Sequence, residues 1–271
     1  MKLQSKTLRA ILFAIAGVAL GAVTARGSVV VAAPASGDIF VAFRATDGQG
    51  SSTSYIVNVG QYSQFRDATP GSTITLNVGN VGADLVATYG EDWNTRGDVS
   101  WGIFGVSPGA SPTLYASKEQ ATVGVQSDPW IGLSAANRTS TANQITPVLQ
   151  GIGGYQGSTS TDNSNFGVLQ TNSSSASSYF KQVGTAGTSD FGTLSGWNSI
   201  EGNFGDGTAG TALDLYRIGS TGVTTPGYFT ISDTGVLSFT STVTPVPEPT
   251  VTVIAAAGLL LGVSRRRRPS A

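Results

Sequence analysis

Apolar and polar residues alternate with a period of two along several short segments of the chain. In the clearest of them, which runs from Asp38 to Arg44, the residues Ile39, Val41 and Phe43 fall on one face. This spacing is typical of a β-strand with one buried face. Further strands are predicted at 55–59, 73–78, 99–106, 113–116, 213–218, 228–232 and 236–242.

Glycine-containing turns separate these segments. Gly60 and Gly79 end two of them, and Asp233-Thr234-Gly235 lies between the last two. A three-residue connection with glycine in its last position is a common β-hairpin loop, because glycine accepts the left-handed backbone conformation that the loop needs. The sequence therefore predicts a hairpin at its C-terminal strands.

Three segments fit short helices: 81–89, 137–150 and 176–183. Asn80 is suited to cap the first, since its side chain can accept a hydrogen bond from an unpaired helix amide. Residues 151–178 are rich in Gly, Ser, Thr and Asn, which predicts a long surface excursion of one sandwich; a division between two subdomains is the alternative. The resulting fold class is all-β with a few short helices, a β-sandwich or jelly-roll-like secreted domain spanning residues 28–244.

Charge is divided unevenly along the chain. Eight of its 15 basic residues lie in the first 26 and the last seven residues, whereas all 16 acidic residues lie within 27–249. The body thus has a formal charge of −9, although the whole chain has −1. A phosphate backbone would be repelled by such a body, so we expect no nucleic-acid partner.

Histidine and cysteine are both absent. The usual general base near neutral pH, the thiol nucleophile and the common zinc ligands are therefore missing. We expect a protein that is not an enzyme, with no cofactor and no metal site.

The N-terminus has the pattern of a secretory signal peptide, which we place at residues 1–27. Lys2, Lys6 and Arg9 precede the apolar run 10–20, and small residues follow. Such a leader is handed to the Sec translocon and cut by signal peptidase; the best cleavage triplet is 23–25 and a later one is 33–35. A retained membrane anchor is the alternative.

The C-terminus combines three features within residues 245–271. The motif Val246-Pro247-Glu248-Pro249 is followed by the apolar run 251–263 and by four arginines, Arg265, Arg266, Arg267 and Arg268. The prolines interrupt any helix, and the 13-residue apolar run would form a helix of about 20 Å, shorter than a hydrocarbon core of about 30 Å. The arginine cluster favours the cytoplasmic side, so the body is predicted to lie outside.

This tail resembles the PEP-CTERM sorting signal of Gram-negative bacteria. The resemblance implies recognition by an exosortase, a membrane protease or transpeptidase that processes such tails near the motif, and a link to exopolysaccharide and the outer surface. It also implies transient anchoring in the inner membrane, followed by a surface or extracellular location. An ordinary single-pass anchor with a proline-rich stalk is the alternative. Segments 37–45, 55–60 and 99–105 are similar to bodies found with such tails in Verrucomicrobia and related bacteria, which carry no assigned activity.

Candidate chemistry within the body is sparse. Glu91-Asp92-Trp93 joins two carboxylates to an aromatic ring but fits a solvated loop end better than a glycosidase pair. Glu201 and Asp206 could bind calcium, although acidic turns are common without metal. The segment beginning at Asp162 departs from a calcium-binding EF-hand loop at its fifth and twelfth positions.

Tryptophan offers the remaining candidates, because its ring can stack on a sugar. Trp101 alternates with Ile103 and is predicted to be core, whereas Trp130 follows a proline and is the best candidate for an exposed ring. We therefore expect an exported cell-surface or matrix protein with a structural or binding role linked to exopolysaccharide. A carbohydrate-binding module and a secreted glycan-active hydrolase or lyase are the alternatives.

Overall fold

The computed structural model describes residues 33–154, 167–183, 190–194 and 199–242. The predicted signal peptide and the predicted sorting tail lie outside these ranges. Across the ranges that are described, no helix combines the length and the apolar character needed to cross a membrane.

Ten strands and four helices make up the described body. The strands are β1 (Asp38–Ala45), β2 (Thr53–Gln61), β3 (Thr73–Thr75), β4 (Val99–Ser107), β5 (Thr113–Glu119), β6 (Gly167–Thr171), β7 (Glu201–Asn203), β8 (Ala212–Gly219), β9 (Gly222–Ile231) and β10 (Leu237–Ser241). The helices are α1 (Tyr62–Arg66), α2 (Val81–Tyr89), α3 (Ala135–Gly154) and α4 (Tyr179–Val183).

The strands form one antiparallel sheet in the order β3-β10-β9-β8-β5-β4-β1-β2-β6, and β7 pairs with β4 beside this path. Strand β4 changes partner along its length, because Ser100–Gly102 pair with β7 and Phe104–Ser107 pair with β5. The Ser117 hydroxyl fills the gap between the two ladders: it accepts from the Ile103 amide at 2.7 Å and contacts the Ile103 carbonyl oxygen. The mostly β fold is thus confirmed.

The sheet curls so that one face encloses an inner core. We define the inner core by Ile39, Val41 and Phe43 of β1 together with the buried residues of the same hydrophobic cluster, which include Phe229 and Phe239. Strands β3 and β2 are seven steps apart in the strand order, yet Ile74 of β3 and Asn58 of β2 line the same cavity, which requires the sheet to curl. Phe65 of α1 closes the interior, its ring centroid lying 4.9 Å from those of Phe229 and Phe239. The result is sandwich-like.

The opposite face of the sheet carries an outer core. It is defined by Phe40, Phe104 and Tyr216 from the strands, packed with Ile145 of α3 and Tyr179 of α4. Tyr179 stacks on Phe104 with 5.3 Å between ring centroids. Both faces of the central strands are therefore covered, which explains why every residue of β1 is buried.

The first strand in the sequence, β1, begins at the end of the sheet at which the last strand, β10, finishes. Neighbouring strands are antiparallel, and β1 and β10 are five steps apart in the strand order. The two strands consequently run in opposite directions, so the start of β1 and the end of β10 lie at the same end of the sheet.

The predicted strands are confirmed, with differences of up to three residues at their ends, except that β9 begins six residues earlier than predicted, at Gly222. The hairpin is also confirmed: Gly235 has a φ of 80°, and the Gly235 amide donates to the Ser232 carbonyl oxygen at 2.9 Å. The predicted helix 81–89 is observed, and the Asn80 side chain accepts from the Ala83 amide at 3.1 Å. The other two helices are shifted, one lengthened to Ala135–Gly154 and one shortened to Tyr179–Val183.

The predicted surface excursion at 151–178 is wrong for part of its length. Residues Gly167–Thr171 form β6, which pairs with β2, and Val168 and Gln170 are fully buried. The backbone of β2 needs hydrogen-bond partners on its outer edge, and β6 provides them. The elements α1 and β7 were not predicted, because each is too short to show a period.

Candidate functional site

The residues of the predicted sorting motif, Val246 to Pro249, and the arginines Arg265 to Arg268 lie outside the described residues. Their predicted roles stay predictions. Of the twelve-residue segment beginning at Asp162, residues 162–166 also lie outside, whereas Gly167–Thr171 form β6. Trp197, the fourth tryptophan of the chain, lies outside the described residues as well.

Trp130 is not the exposed ring that the sequence predicts. It is 6% exposed, belongs to the outer core, and donates from Nε1 to the Ser117 carbonyl oxygen at 3.1 Å. Lys118 lies over it, with Nζ 5.6 Å from the ring centroid, and Nζ donates to the Asp128 carbonyl oxygen at 2.8 Å. The loop that carries Trp130 therefore folds back on β5, and the ring has no free face for a sugar.

The other described tryptophans are also internal. Trp93 packs edge-on against Phe204 in the inner core with 5.0 Å between ring centroids. Trp101 is fully buried, as predicted, and donates from Nε1 to the Gly210 carbonyl oxygen at 2.6 Å. A sugar-binding surface made of these rings is thus contradicted.

The sequence-predicted carboxylates do not converge. Glu91 and Asp92 are exposed while the adjacent Trp93 is buried. Glu201 is bound to Arg44, whereas Asp206 is exposed. Burial raises the pKa of Glu119, and the nearby charge of Asp206 raises it further. Within the described ranges, no three acidic residues are grouped so that they could hold a metal ion.

Glu201 instead completes a buried ion pair that joins three elements. Arg44 of β1 donates from Nε to Glu201 Oε1 at 2.8 Å and from Nη2 to Oε2 at 2.6 Å. The hydroxyl of Tyr179 in α4 donates to Oε1 at 2.9 Å. The Arg44 guanidinium lies 5.8 Å from the centroid of the Phe180 ring. Its Nη1 is buried and bonds to no described residue.

Asp190 lies beside this pair. Its carboxylate accepts from the Ile200 amide at 2.7 Å and from the Ser199 hydroxyl at 2.9 Å, which ties residues 190–194 to the chain before β7. Burial raises the pKa of Asp190 to about 6, and the neighbouring charge of Glu201 contributes to the rise. The hydrogen bonds, which favour the charged form, only partly offset the burial. Asp190 therefore has a structural role, because its carboxylate holds residues 190–194 to Ser199 and Ile200.

A cavity of about 630 Å³ lies under the loop that carries Trp130. Its lining includes Lys118, Glu119, Gln126 and Asp128, and also Val125, which is 60% exposed. The loop is fastened to the sheet by Asp214, whose carboxylate accepts from the amide and the hydroxyl of Ser127 at 2.6 and 2.7 Å.

A second cavity, of about 420 Å³, lies where the β3 edge of the curled sheet approaches the end of β2; we call it the Asp38 cavity. Its polar lining consists of one carboxylate, four amides and one hydroxyl: Asp38, Asn58, Gln61, Gln64, Asn77 and Thr75. Sequence reasoning missed these residues, because they come from separate strand ends and loops and share no motif.

Comparison of the chain with protein-family models, curated proteins and solved structures finds no match.

Proposed function

We propose that this protein is exported, processed at its Pro-Glu-Pro tail and placed at the cell surface or in the extracellular layer. There its β body has a structural or binding role linked to exopolysaccharide. The observation that carries the proposal is the pairing of a signal-peptide pattern with a complete tail pattern, in which Pro247, Glu248 and Pro249 precede an apolar run and an arginine cluster.

The charge distribution supports this orientation. The basic clusters lie at the two extremities and the acidic residues lie between them. Positive charge is retained on the cytoplasmic side of a membrane, so both ends favour translocation of the same acidic segment.

The position of the ends in the fold supports a body carried by a tail. The Gly37 and Thr242 amides lie at the same end of the sheet. They donate to the Val106 and Pro226 carbonyl oxygens at 3.2 and 2.9 Å, respectively. Processing of the chain beyond either point would remove no residue from the inner or outer core. A tail cleaved in this way leaves a folded body.

The test is the intact mass of the mature protein from its native host. We expect the wild-type mass to lack both the leader and the residues that follow the Pro-Glu-Pro motif. The double variant Pro247→Ala/Pro249→Ala is expected to keep the tail, because the interruption between body and apolar run that the protease would recognise is lost.

The matched control is Pro245→Ala, which removes a nearby proline and leaves the motif intact. Its mass is expected to match that of the wild type, apart from the substitution if residue 245 is retained. A wild-type protein that keeps its leader and its tail would contradict the proposal. If the double variant were processed like the wild type, the Pro-Glu-Pro motif would not be the processing signal.

A further inference from the structure

The Asp38 cavity is built from strand ends that the fold holds in place. Asp38 begins β1, and Asn58 and Gln61 lie at the end of β2, whose pairing with β1 is shifted by one residue between Ile39 and Phe40. Val59 and Val78, both buried, contribute to the apolar part of the lining. The cavity therefore has polar groups and an apolar surface at fixed positions.

Asp38 orients the neighbouring amides, and no cation among the described lining residues balances the charge of its carboxylate. Its side chain accepts from the Ala35 amide at 2.8 Å and from Asn58 Nδ2 at 2.9 Å, and it also accepts from Gln61 Nε2. Asp38 is only 6% exposed, and these three neutral donors satisfy the hydrogen-bonding capacity of its buried carboxylate. The hydrogen bonds fix the orientation of both amides.

Further amides lie at the rim of the cavity. Gln64 and Asn77 line it and are exposed. Gly60 has a φ of 105°, and a Cβ atom at this position would lie 2.8 Å from Gln64 Oε1. Glycine therefore allows the Gln64 amide to lie close to the β2 backbone.

The lining selects a class of ligand. Amides and a hydroxyl both donate and accept hydrogen bonds, as the hydroxyl groups of a sugar do. Ile74 and Leu76 add apolar surface, which suits the C–H face of a pyranose ring. Lysine and arginine are absent from the described lining, so an anionic ligand would meet Asp38 without compensation, and a purely apolar ligand would leave the amides unpaired.

We propose that the Asp38 cavity binds one or two pyranose units of a neutral polysaccharide. Its volume of about 420 Å³ falls in the range of about 300–1,000 Å³ found for small-molecule sites. The biological meaning of this site rests on the proposed function, since a surface protein would meet such a polysaccharide outside the cell. The binding itself is a property of the folded body.

The test uses the full-length chain, purified in a detergent without a sugar headgroup. Maltose, cellobiose and diacetylchitobiose are the neutral probes, and digalacturonate is the acidic one. We expect saturable binding of at least one neutral disaccharide in saturation-transfer NMR and in a titration, with much weaker binding of digalacturonate. The double variant Gln64→Ala/Asn77→Ala should lower the affinity at least tenfold, because two hydrogen-bonding groups are lost.

Both substituted residues are exposed, so the variant is expected to keep the wild-type circular dichroism spectrum and unfolding midpoint. The matched control is Gln126→Ala, which removes an amide from the other cavity and should leave the affinity unchanged. Absence of binding by all three neutral probes would overturn the site, as would stronger binding of digalacturonate or wild-type affinity in the double variant. None of these results depends on processing of the tail, so failure here is distinguishable from failure of the sorting proposal.

Discussion

Single polar side chains inside the body hold the strands to the segments that cover them. The Tyr89 hydroxyl of α2 accepts from the Tyr55 amide at 3.1 Å and donates to the Phe43 carbonyl oxygen at 2.7 Å, which bridges β1 and β2. The Tyr55 hydroxyl in turn donates to Asp84 at 2.5 Å. A buried polar group that keeps its partners adds specificity, whereas one that loses them is costly.

The ion pair between Arg44 and Glu201 gives the sharpest prediction at this scale. Glu201→Gln removes the negative charge but keeps the shape, so the Arg44 guanidinium stays buried without the carboxylate that is bonded to it. We expect the free energy of unfolding, measured by urea denaturation, to fall by about 3–5 kcal/mol. The double variant Arg44→Met/Glu201→Leu should recover part of this loss, because neither member of the pair is then left buried without its partner.

The exposed pair between Arg66 and Asp67 is the control, since their side chains are 59% and 61% exposed. Asp67→Asn is expected to produce no measurable change in the unfolding midpoint. If Glu201→Gln behaved like Asp67→Asn, the pair would be solvated and would not join β1, β7 and α4.

At the scale of elements, the hairpin between β9 and β10 packs against the start of α2. A Cβ atom at Gly82 would lie 2.0 Å from the Thr234 carbonyl oxygen, and one at Gly235 would lie 2.3 Å from the Gly82 Cα atom. Two glycines therefore permit a backbone contact between elements that are far apart in sequence. A helix sequence read alone gives no reason for glycine at position 82.

This contact predicts an unusual result for a helical glycine. Replacing glycine by alanine inside a helix normally stabilises it by about 0.5–1 kcal/mol. Gly82→Ala is expected instead to lower the free energy of unfolding by about 1–3 kcal/mol, because the added methyl group overlaps the hairpin backbone. Urea denaturation of the variant and the wild type measures the difference.

The matched control is Ala87→Gly, at an exposed position of the same helix. It should cost about 1 kcal/mol through helix propensity alone. A stabilised Gly82→Ala protein would show that α2 and the hairpin do not touch at this point.

Across the whole molecule, one curled sheet separates two cores while forming a wall of each. Phe40 and Val41 are neighbours on β1, yet Phe40 faces the outer core and Val41 the inner core. Loss of the sheet would therefore remove support from both sides at once. The expected behaviour is a single cooperative unit.

Coincidence of two optical probes tests this expectation. In a Trp197→Phe background, the remaining tryptophans report on described positions: Trp93 and Trp101 on the inner core and Trp130 on the outer core. We expect the urea midpoints from tryptophan fluorescence and far-ultraviolet circular dichroism to agree. Adding Trp130→Phe leaves only the inner-core tryptophans as fluorescence reporters. If the outer core unfolded first, the fluorescence and circular dichroism midpoints would differ, and the α3 side would be shown to unfold on its own.

The sequence by itself determined the strand pattern, the C-terminal hairpin and the cap of α2. These are local: alternation requires only that one face be buried, and a turn needs only its own residues. The export pattern at the two ends is local in the same sense and stays a prediction.

Only the tertiary structure decided where the charged and aromatic side chains went. Trp130 follows a proline in a loop, as an exposed ring would, but the loop folds onto β5 and buries it. Glu201 lies in an acidic turn, but β7 places it against Arg44, 157 residues away in sequence. The Asp38 cavity also depends on distant segments. Contacts of this kind form when strands meet in space, and no spacing along the chain encodes them directly.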